Sequence, residues 1–324
     1  MVKAMIARRP GVAEVMEWSD VETGAPGPGE ALVRHTAIGV NFIDVYFRSG
    51  LYQWPGETMI PGAEAAGVVE AVGAGVEGLR PGDRVAYVQR FGAYRQTRLM
   101  PADRLVRLPD GIADTLAAAV MLKGLTAQYL VTACYGVKPG DTVLVHAAAG
   151  GVGLLLGQWL KALGARAIGT AGSDEKVALA LRHGYGDVVN YRTTDFVETV
   201  RDLTGGKGCA AVYDSVGEDT WRGSLKCLRR RGSFINFGQS SGTITGFSLS
   251  DLAAHGSLTA NRPVLFDYIA ERADLEERTT DLFTRLQSGE VRADVVSTLP
   301  LDQAVTAHRD LEGRRTTGST VLLP

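Results

Sequence analysis

The sequence predicts an α/β protein: a doubly wound parallel sheet inserted in a mainly β domain. Three observations predict it. Thr142–Gly164 reads as a strand, a turn of small residues and a helix. Downstream, strand and helix patterns alternate as far as about residue 260. Upstream, short β-type runs recur between Gly/Pro turns.

In the organising stretch, Pro139-Gly140-Asp141 signals a turn before the apolar, β-branched run Thr142–His146. Ala147–Gly153 follows as a tight turn, then Leu154–Leu163 as an apolar helix closed by Gly164. This is a variant of the dinucleotide fingerprint, with Ala148 standing where the first glycine is usual. Gly150, Gly151 and Val152 let backbone amides approach a pyrophosphate at the helix N-terminus. The alternative is a purely structural turn.

The second strand, Ala165–Thr170, runs into Ala171-Gly172-Ser173 and has no Asp or Glu at its end. A cofactor lacking the 2′-phosphate favours a carboxylate there, bonded to the ribose hydroxyl. Ser173 reads as an N-cap and Lys176 as a cation in the following first turn, which opposes the macrodipole unless an anion is bound nearby. NADPH is therefore favoured, with a solvated surface lysine as the alternative reading of Lys176.

Residues 1–122 read as a compact, barrel-like β domain, with strands at 1–6, 30–35, 67–72 and from 80, and a short helix or loop over 41–50. Residues 123–260 form the nucleotide-binding domain. Its later units are helix 174–183, strand 187–190, helix 195–204, strand 209–214, helix 219–228, strand 232–238 and an edge strand at 257–260. Arg229-Arg230-Arg231 is expected to solvate a helix end. The sheet is complete before 261, so residues 261–324, with helices at 267–287 and 301–309 and a final strand at 319–323, are expected to return to the β domain. A ligand cleft would then lie between the domains.

The totals narrow the function. The 324 residues suit roughly two domains. A net charge of −2 and mean hydropathy of +0.02 offer no basic stripe for nucleic acid and no membrane-binding character. No N-terminal signal or membrane-spanning run is read, so the expected compartment is cytoplasmic. Cys134, Cys209 and Cys227 lack zinc-site spacing and read as reduced packing residues.

Several motifs together carry a resemblance: Gly39–Asp44, Gly62–Gly67, Pro81–Val85, Leu122–Thr126, His146–Gly153, Tyr213–Gly217 and Phe237–Gly242. The chain resembles the zinc-free medium-chain dehydrogenase/reductase superfamily, and within it the ζ-crystallin-like NADPH:quinone oxidoreductases. The resemblance covers essentially the whole chain and implies a GroES-like catalytic domain around a Rossmann domain. Catalytic zinc in the wider superfamily uses a Cys where Asn41 stands and a His where Ala63 stands, and neither residue here can replace those ligands. There is no Cys between Val88 and Arg104 for a structural zinc loop.

The resemblance implies that Asn41, Lys123 and Thr126 lie near the nicotinamide. Tyr46 and Tyr52 would line a quinone pocket, where rings face a flat acceptor and phenols bond its oxygen; packing at the domain boundary is the alternative. Asp44 is a further candidate that could simply cap a helix. Tyr191 and Arg314 would join Lys176 at the 2′-phosphate, and Gly172, Ser173, Ser215, Phe237, Gly238 and Ser240 would also contact the cofactor. His146 reads as a satisfied structural histidine, and Gln239 departs from the Asn usual in relatives.

The expected activity is hydride transfer from nicotinamide C4 to a quinone, without zinc or flavin, in a homodimer joined edge to edge. Two alternatives stay open: a double-bond reductase of α,β-unsaturated carbonyls, and a non-enzymatic NADPH-binding sensor or crystallin-like protein.

Overall fold

The computed structural model describes residues 1–324 except Arg314 and Thr317. Arg314, expected at the 2′-phosphate, thus lies outside the described residues. The chain forms two units: 1–123 with 269–287 and 293–324, and 124–268 with 288–292. The second unit is an insertion in the first.

The first unit begins with the antiparallel pair β1 (Val2–Ala7) and β2 (Met16–Val21). Its larger sheet contains β3 (Glu30–Gly39), which leads into the helix α1 (Phe42–Ser49), then β4 (Glu64–Val72), β5 (Arg84–Val88), β6 (Thr97–Pro101) and β7 (Val106–Arg107). β3 alternates inward and outward residues, placing Ala31, Val33 and His35 inside. It pairs antiparallel with both β4 and β6. A Cβ on Gly67 would come within 2.2 Å of the Arg34 carbonyl oxygen, so only glycine permits this approach of β4 to β3. Met5, Val33, Ile38, Val69, Tyr87 and Leu322 are among the residues of this unit's core.

The long helix α2 (Asp114–Tyr129) was not expected from the sequence. Its apolar residues surround the axis, so there was no one-sided stripe to read. The boundary between the units falls within it. With the π-helical turn Leu130–Cys134 it is the one stretch among the described residues long and apolar enough to cross a bilayer. However, 78% of that window is buried inside the protein, as in a core helix.

In the second unit the chain runs β8 (Thr142–Val145), α3 (Gly151–Ala162), β9 (Arg166–Ala171), α4 (Asp174–Arg182), β10 (Asp187–Asn190) and α5 (Phe196–Leu203). It continues through β11 (Cys209–Asp214), α6 (Trp221–Cys227), β12 (Leu228–Asn236), α7 (Leu249–Ala254), β13 (Thr259–Asn261) and α8 (Leu265–Tyr268). All six strands are parallel, in the order β10-β9-β8-β11-β12-β13. This is the doubly wound order of dinucleotide-binding sheets, with its switch point at β8 and β11. Leu144, Ile168, Val189, Val212 and Phe234 lie in the core of this unit. Arg229–Arg231 do not solvate a helix end: they open β12, all exposed, with Arg231 at φ 60°.

The tail adds α9 (Arg272–Ser288), β14 (Val295–Pro300), α10 (Ala304–Glu312) and β15 (Ser319–Leu323). β14 and β15 are parallel, and β15 joins the first unit's sheet beside β3.

Candidate active site

In the second unit, the C-terminal ends of the central strands are tied by buried polar groups. Ser224 Oγ donates to Asp214 Oδ2 at 2.9 Å and stands 3.0 Å from His146 Nε2. The hydroxyl, having donated its proton, accepts from Nε2–H. Nδ1 then accepts from the Thr170 hydroxyl at 3.0 Å. Burial lowers the His146 pKa, against the pull of Asp214, so the ring is a neutral brace. Asp214 Oδ1 also accepts the N–H groups of Val216 and Gly217, fixing the turn after β11.

These ties hold three turns. In the first, Ala147 adopts φ 53°, and Gly150 N-caps α3 with no side-chain cap among the described residues. A Cβ on Gly153 would lie 2.4 Å from the Ala147 carbonyl oxygen, so the chain packs too closely for any side chain. In the second, Ser173 caps α4 by accepting from Lys176 N–H at 3.4 Å, and a Cβ on Gly172 would lie 2.5 Å from Tyr191 Oη. In the third, Ser240 N–H donates to the Ser215 carbonyl at 3.2 Å, and Phe237 N–H to that of Asp214 at 2.8 Å. Gly238 packs against Ser215 so closely that a Cβ would lie 2.7 Å from its carbonyl oxygen. The cradle of glycines and the uncapped α3 N-terminus fit a dinucleotide pyrophosphate.

In the first unit, Asn41 is the N-cap of α1, and its backbone N–H donates to Asp44 Oδ2 at 2.8 Å, one half of a capping box. Its side-chain Nδ2 donates to Glu64 Oε1 at 2.7 Å. Glu64, wholly buried on β4, also accepts the Leu122 N–H at 2.6 Å and lies 3.6 Å from Lys123 Nζ. Lys123 Nζ donates further to the Val40 carbonyl at 3.3 Å. Burial raises the pKa of Glu64, and Lys123 opposes the rise. Burial also raises Asp44, to about 7, against the bonds from Asn41 N–H and Tyr94 Oη.

The half-buried Tyr46 and Tyr52 meet edge to face, with ring centroids 5.3 Å apart, and Tyr52 N–H donates to the Tyr46 carbonyl at 3.0 Å. Phe42, on the exposed side of α1, extends the pair at 6.2 Å from Tyr46.

The structure thus joins Asn41, Asp44 and Lys123 in one buried cluster and sets Tyr46 and Tyr52 beside each other. Thr126 is buried on α2 in the part belonging to the second unit. Sequence reasoning missed Glu64, whose signal was a carboxylate inside a run of Ala and Gly. It also missed Tyr94 and His308, distant in sequence and 3.0 Å apart in the fold.

Among the described residues no group of three or more His, Cys, Asp or Glu side chains is placed to hold a metal. The donor set at residues 41 and 63 does not fit zinc. Asn41 turns its amide N–H₂ to Glu64, and Ala63 has no donor atom.

Residues 27–110 match the alcohol dehydrogenase GroES-like domain, and 151–279 match the zinc-binding dehydrogenase domain. A quinone oxidoreductase of Pseudomonas aeruginosa is 48% identical over 315 residues, which span 97% of each chain. The chain belongs to the quinone oxidoreductase family. Among solved structures of this family, Escherichia coli quinone oxidoreductase complexed with NADPH aligns at a TM-score of 0.97 and 46% identity, covering 99% of this chain and 100% of that one. The 2-haloacrylate reductase of a Burkholderia species is 44% identical, over 100% of this chain and 99% of its own.

Proposed function

We propose that the chain is an NADPH-dependent quinone reductase that works without zinc or flavin. The reading is carried by near-complete coverage at 48% identity to a protein named quinone oxidoreductase. In the second unit, the amides of Gly150, Gly151 and Val152 would meet the pyrophosphate. Ser173, Lys176 and Tyr191, with Arg314 from the tail, would hold the 2′-phosphate. Gly172, Ser215, Phe237, Gly238 and Ser240 would line the rest of the dinucleotide, and Thr126, Asn41 and Lys123 would serve its nicotinamide end. When bound, the cofactor supplies a hydride at nicotinamide C4.

The chain's own residues position the acceptor and control its proton. Glu64 fixes the Asn41 amide with its N–H₂ turned inward, which leaves Oδ1 directed away from the carboxylate. The Tyr46 and Tyr52 rings suit a flat acceptor. Their hydroxyls can donate to a quinone oxygen, and one proton from tyrosine or water completes two-electron reduction to the hydroquinone.

Reduction of an α,β-unsaturated carbonyl is the second reading, favoured by the 2-haloacrylate reductase relative. Steady-state NADPH oxidation with a naphthoquinone, a 2-alkenal and 2-chloroacrylate separates them. Turnover of the quinone supports the first reading, and saturation of the alkene alone replaces it with the second. Tight NADPH binding without oxidation by any acceptor makes the protein a sensor.

We also infer a cytoplasmic homodimer that needs neither nucleic acid nor membrane. β13 ends its sheet, and all three of its residues are exposed, an edge suited to pairing with a second copy.

A further inference from the structure

Asp44 and Arg48 lie one turn apart on α1 and are both wholly buried. A chain of hydrogen bonds leaves the helix at one and returns at the other. Arg48 Nη1 is 3.2 Å from His308 Nδ1, His308 Nε2 is 3.0 Å from Tyr94 Oη, and Tyr94 Oη is 3.0 Å from Asp44 Oδ2. A guanidinium only donates, so Nδ1 must accept. The single ring proton is therefore on Nε2 and donates to Tyr94, whose own proton points at Asp44. Every bond runs in one direction. The arginine end is anchored by Glu312, which accepts from Nη1 at 2.8 Å and Nη2 at 2.7 Å, and by the Gly11 carbonyl at 3.1 Å.

We propose that Tyr94 and His308 are positioning residues for quinone reduction. With Arg48 they form a one-way hydrogen-bond clamp that fixes the rotation of α1 and so places Asn41, Tyr46 and Tyr52 against the acceptor. The proposal rests on the quinone-reductase reading. α1 is amphipathic in the sense it needs: Asp44, Val45, Phe47 and Arg48 face inward, whereas Phe42 and Tyr46 occupy the other side. A rolled helix would move both Tyr46 and the N-cap Asn41.

The clamp also sets the state of Asp44. Its Oδ2 accepts from Tyr94 and from Asn41 N–H, and its Oδ1 has no hydrogen-bond partner among the described residues. The ionisable groups around it are Tyr94, His308 from α10, Arg48 on its own helix, Glu64 from β4 and Lys123 from α2, with Glu312 behind Arg48. His308 is driven down to about 3 by burial and by Arg48, so it stays neutral near neutral pH. Asp44, held up at about 7, titrates there instead. Loss of the Tyr94 donor removes one of the bonds that lower it and raises it further.

A matched control exists in the same unit. Tyr87 Oη and His35 Nε2 form a buried pair at 2.9 Å on β5 and β3; among the described residues it shares no side-chain hydrogen bond with Arg48, His308 or Tyr94, although His35 Nδ1 bonds the carbonyl of Arg95 beside Tyr94. The test compares full-length Tyr94→Phe, His308→Leu, His308→Gln and Tyr87→Phe. NADPH affinity, quinone kcat and KM, pH–rate profiles and amide hydrogen exchange over residues 41–52 are measured for each. In Tyr94→Phe and His308→Leu, kcat/KM for naphthoquinone falls roughly tenfold while NADPH affinity stays within about twofold. The acid limb of the Tyr94→Phe profile moves up by about one pH unit, and both variants exchange faster over 41–52. His308→Gln, whose amide both donates and accepts, recovers most of the loss. Tyr87→Phe changes none of these. Equal kinetic losses in Tyr87→Phe, or an unmoved acid limb in Tyr94→Phe, overturn the proposal. If the parent enzyme oxidises no NADPH with quinones, the functional reading fails and exchange decides the clamp alone: unchanged protection over 41–52 in Tyr94→Phe refutes it.

Discussion

Asn41 Nδ2 donates to Glu64 Oε1 at 2.7 Å, and both residues are buried. The same oxygen lies 3.6 Å from Lys123 Nζ, so one carboxylate serves the amide and the ammonium together. Glu64→Ala strands a buried Lys123 charge and should cost about 3–5 kcal/mol of stability. Glu64→Gln removes the same charge but keeps an amide oxygen for Asn41 and Lys123, and turns an N–H₂ toward the Leu122 N–H; its cost should be smaller, about 1–3 kcal/mol. Urea unfolding of the two variants checks the order. Both variants remove the charge facing Lys123, so equal losses would show that the amide oxygen kept in Glu64→Gln contributes nothing.

Ala171-Gly172-Ser173 follows β9 with no carboxylate at the strand end, and Ser173 caps α4, whose first turn carries Asp174 and Glu175 before Lys176. Lys176→Ala and Arg314→Ala should each weaken NADPH by about 1.5–3 kcal/mol, one charge-assisted bond to phosphate, and leave NADH affinity intact. Titration of both cofactors against both variants reads this directly. Equal weakening of NADH would place the 2′-phosphate elsewhere.

The parallel sheet was legible because its signals are local. Strands 187–190 and 209–214 lie where short, mainly apolar runs meet turn residues, and the small-residue turn marks the cradle in one continuous stretch. The first unit was less so. α2, which begins in it, has no polar face from which to read a period. In the second unit α3 begins at Gly151, three residues earlier than its apolar run suggested, because glycines tolerate the tight first turn. In the candidate site, Asn41 and Lys123 were found by resemblance. Glu64 was missed although it lies in the Gly62–Gly67 motif, because its partners are far along the chain. The Tyr94–His308 bond spans 214 positions and leaves no pattern in either neighbourhood.

Gly153 has no room for a side chain, since its Cβ would lie 2.4 Å from the Ala147 carbonyl oxygen and 2.7 Å from that of Ala148. Gly153→Ala must open the turn that sets the first amides of α3. Overpacking of this kind costs about 1–3 kcal/mol, and it should weaken NADPH and NADH alike, unlike Lys176→Ala. Calorimetric titration with the two cofactors distinguishes the cases. Unchanged affinity for both would mean that the turn does not touch the pyrophosphate.

Acid should destabilise the protein chiefly through its buried histidines. Burial is the first cause that holds His35 and His308 at about 3, and it lowers His146 as well. Unfolded histidine titrates near 6.5. As pH falls below about 6.5 the unfolded chain therefore takes up protons that the native rings refuse, and stability is lost towards the folded pKa. Asp44 and Glu64 act in the opposite sense. Their folded values are raised, so the native state holds protons that the unfolded state has released, and their contribution is lost as pH rises from about 4; for Asp44 the loss extends through about 7. The two effects overlap and partly cancel between about pH 4 and about pH 6.5. Removing one histidine uncovers its share. His308→Gln should flatten the rise of stability with pH in that window by about 1.4 kcal/mol per pH unit, the slope for one proton. Urea midpoints for parent and variant across the window measure it, and parallel curves would show that His308 binds its proton equally in both states.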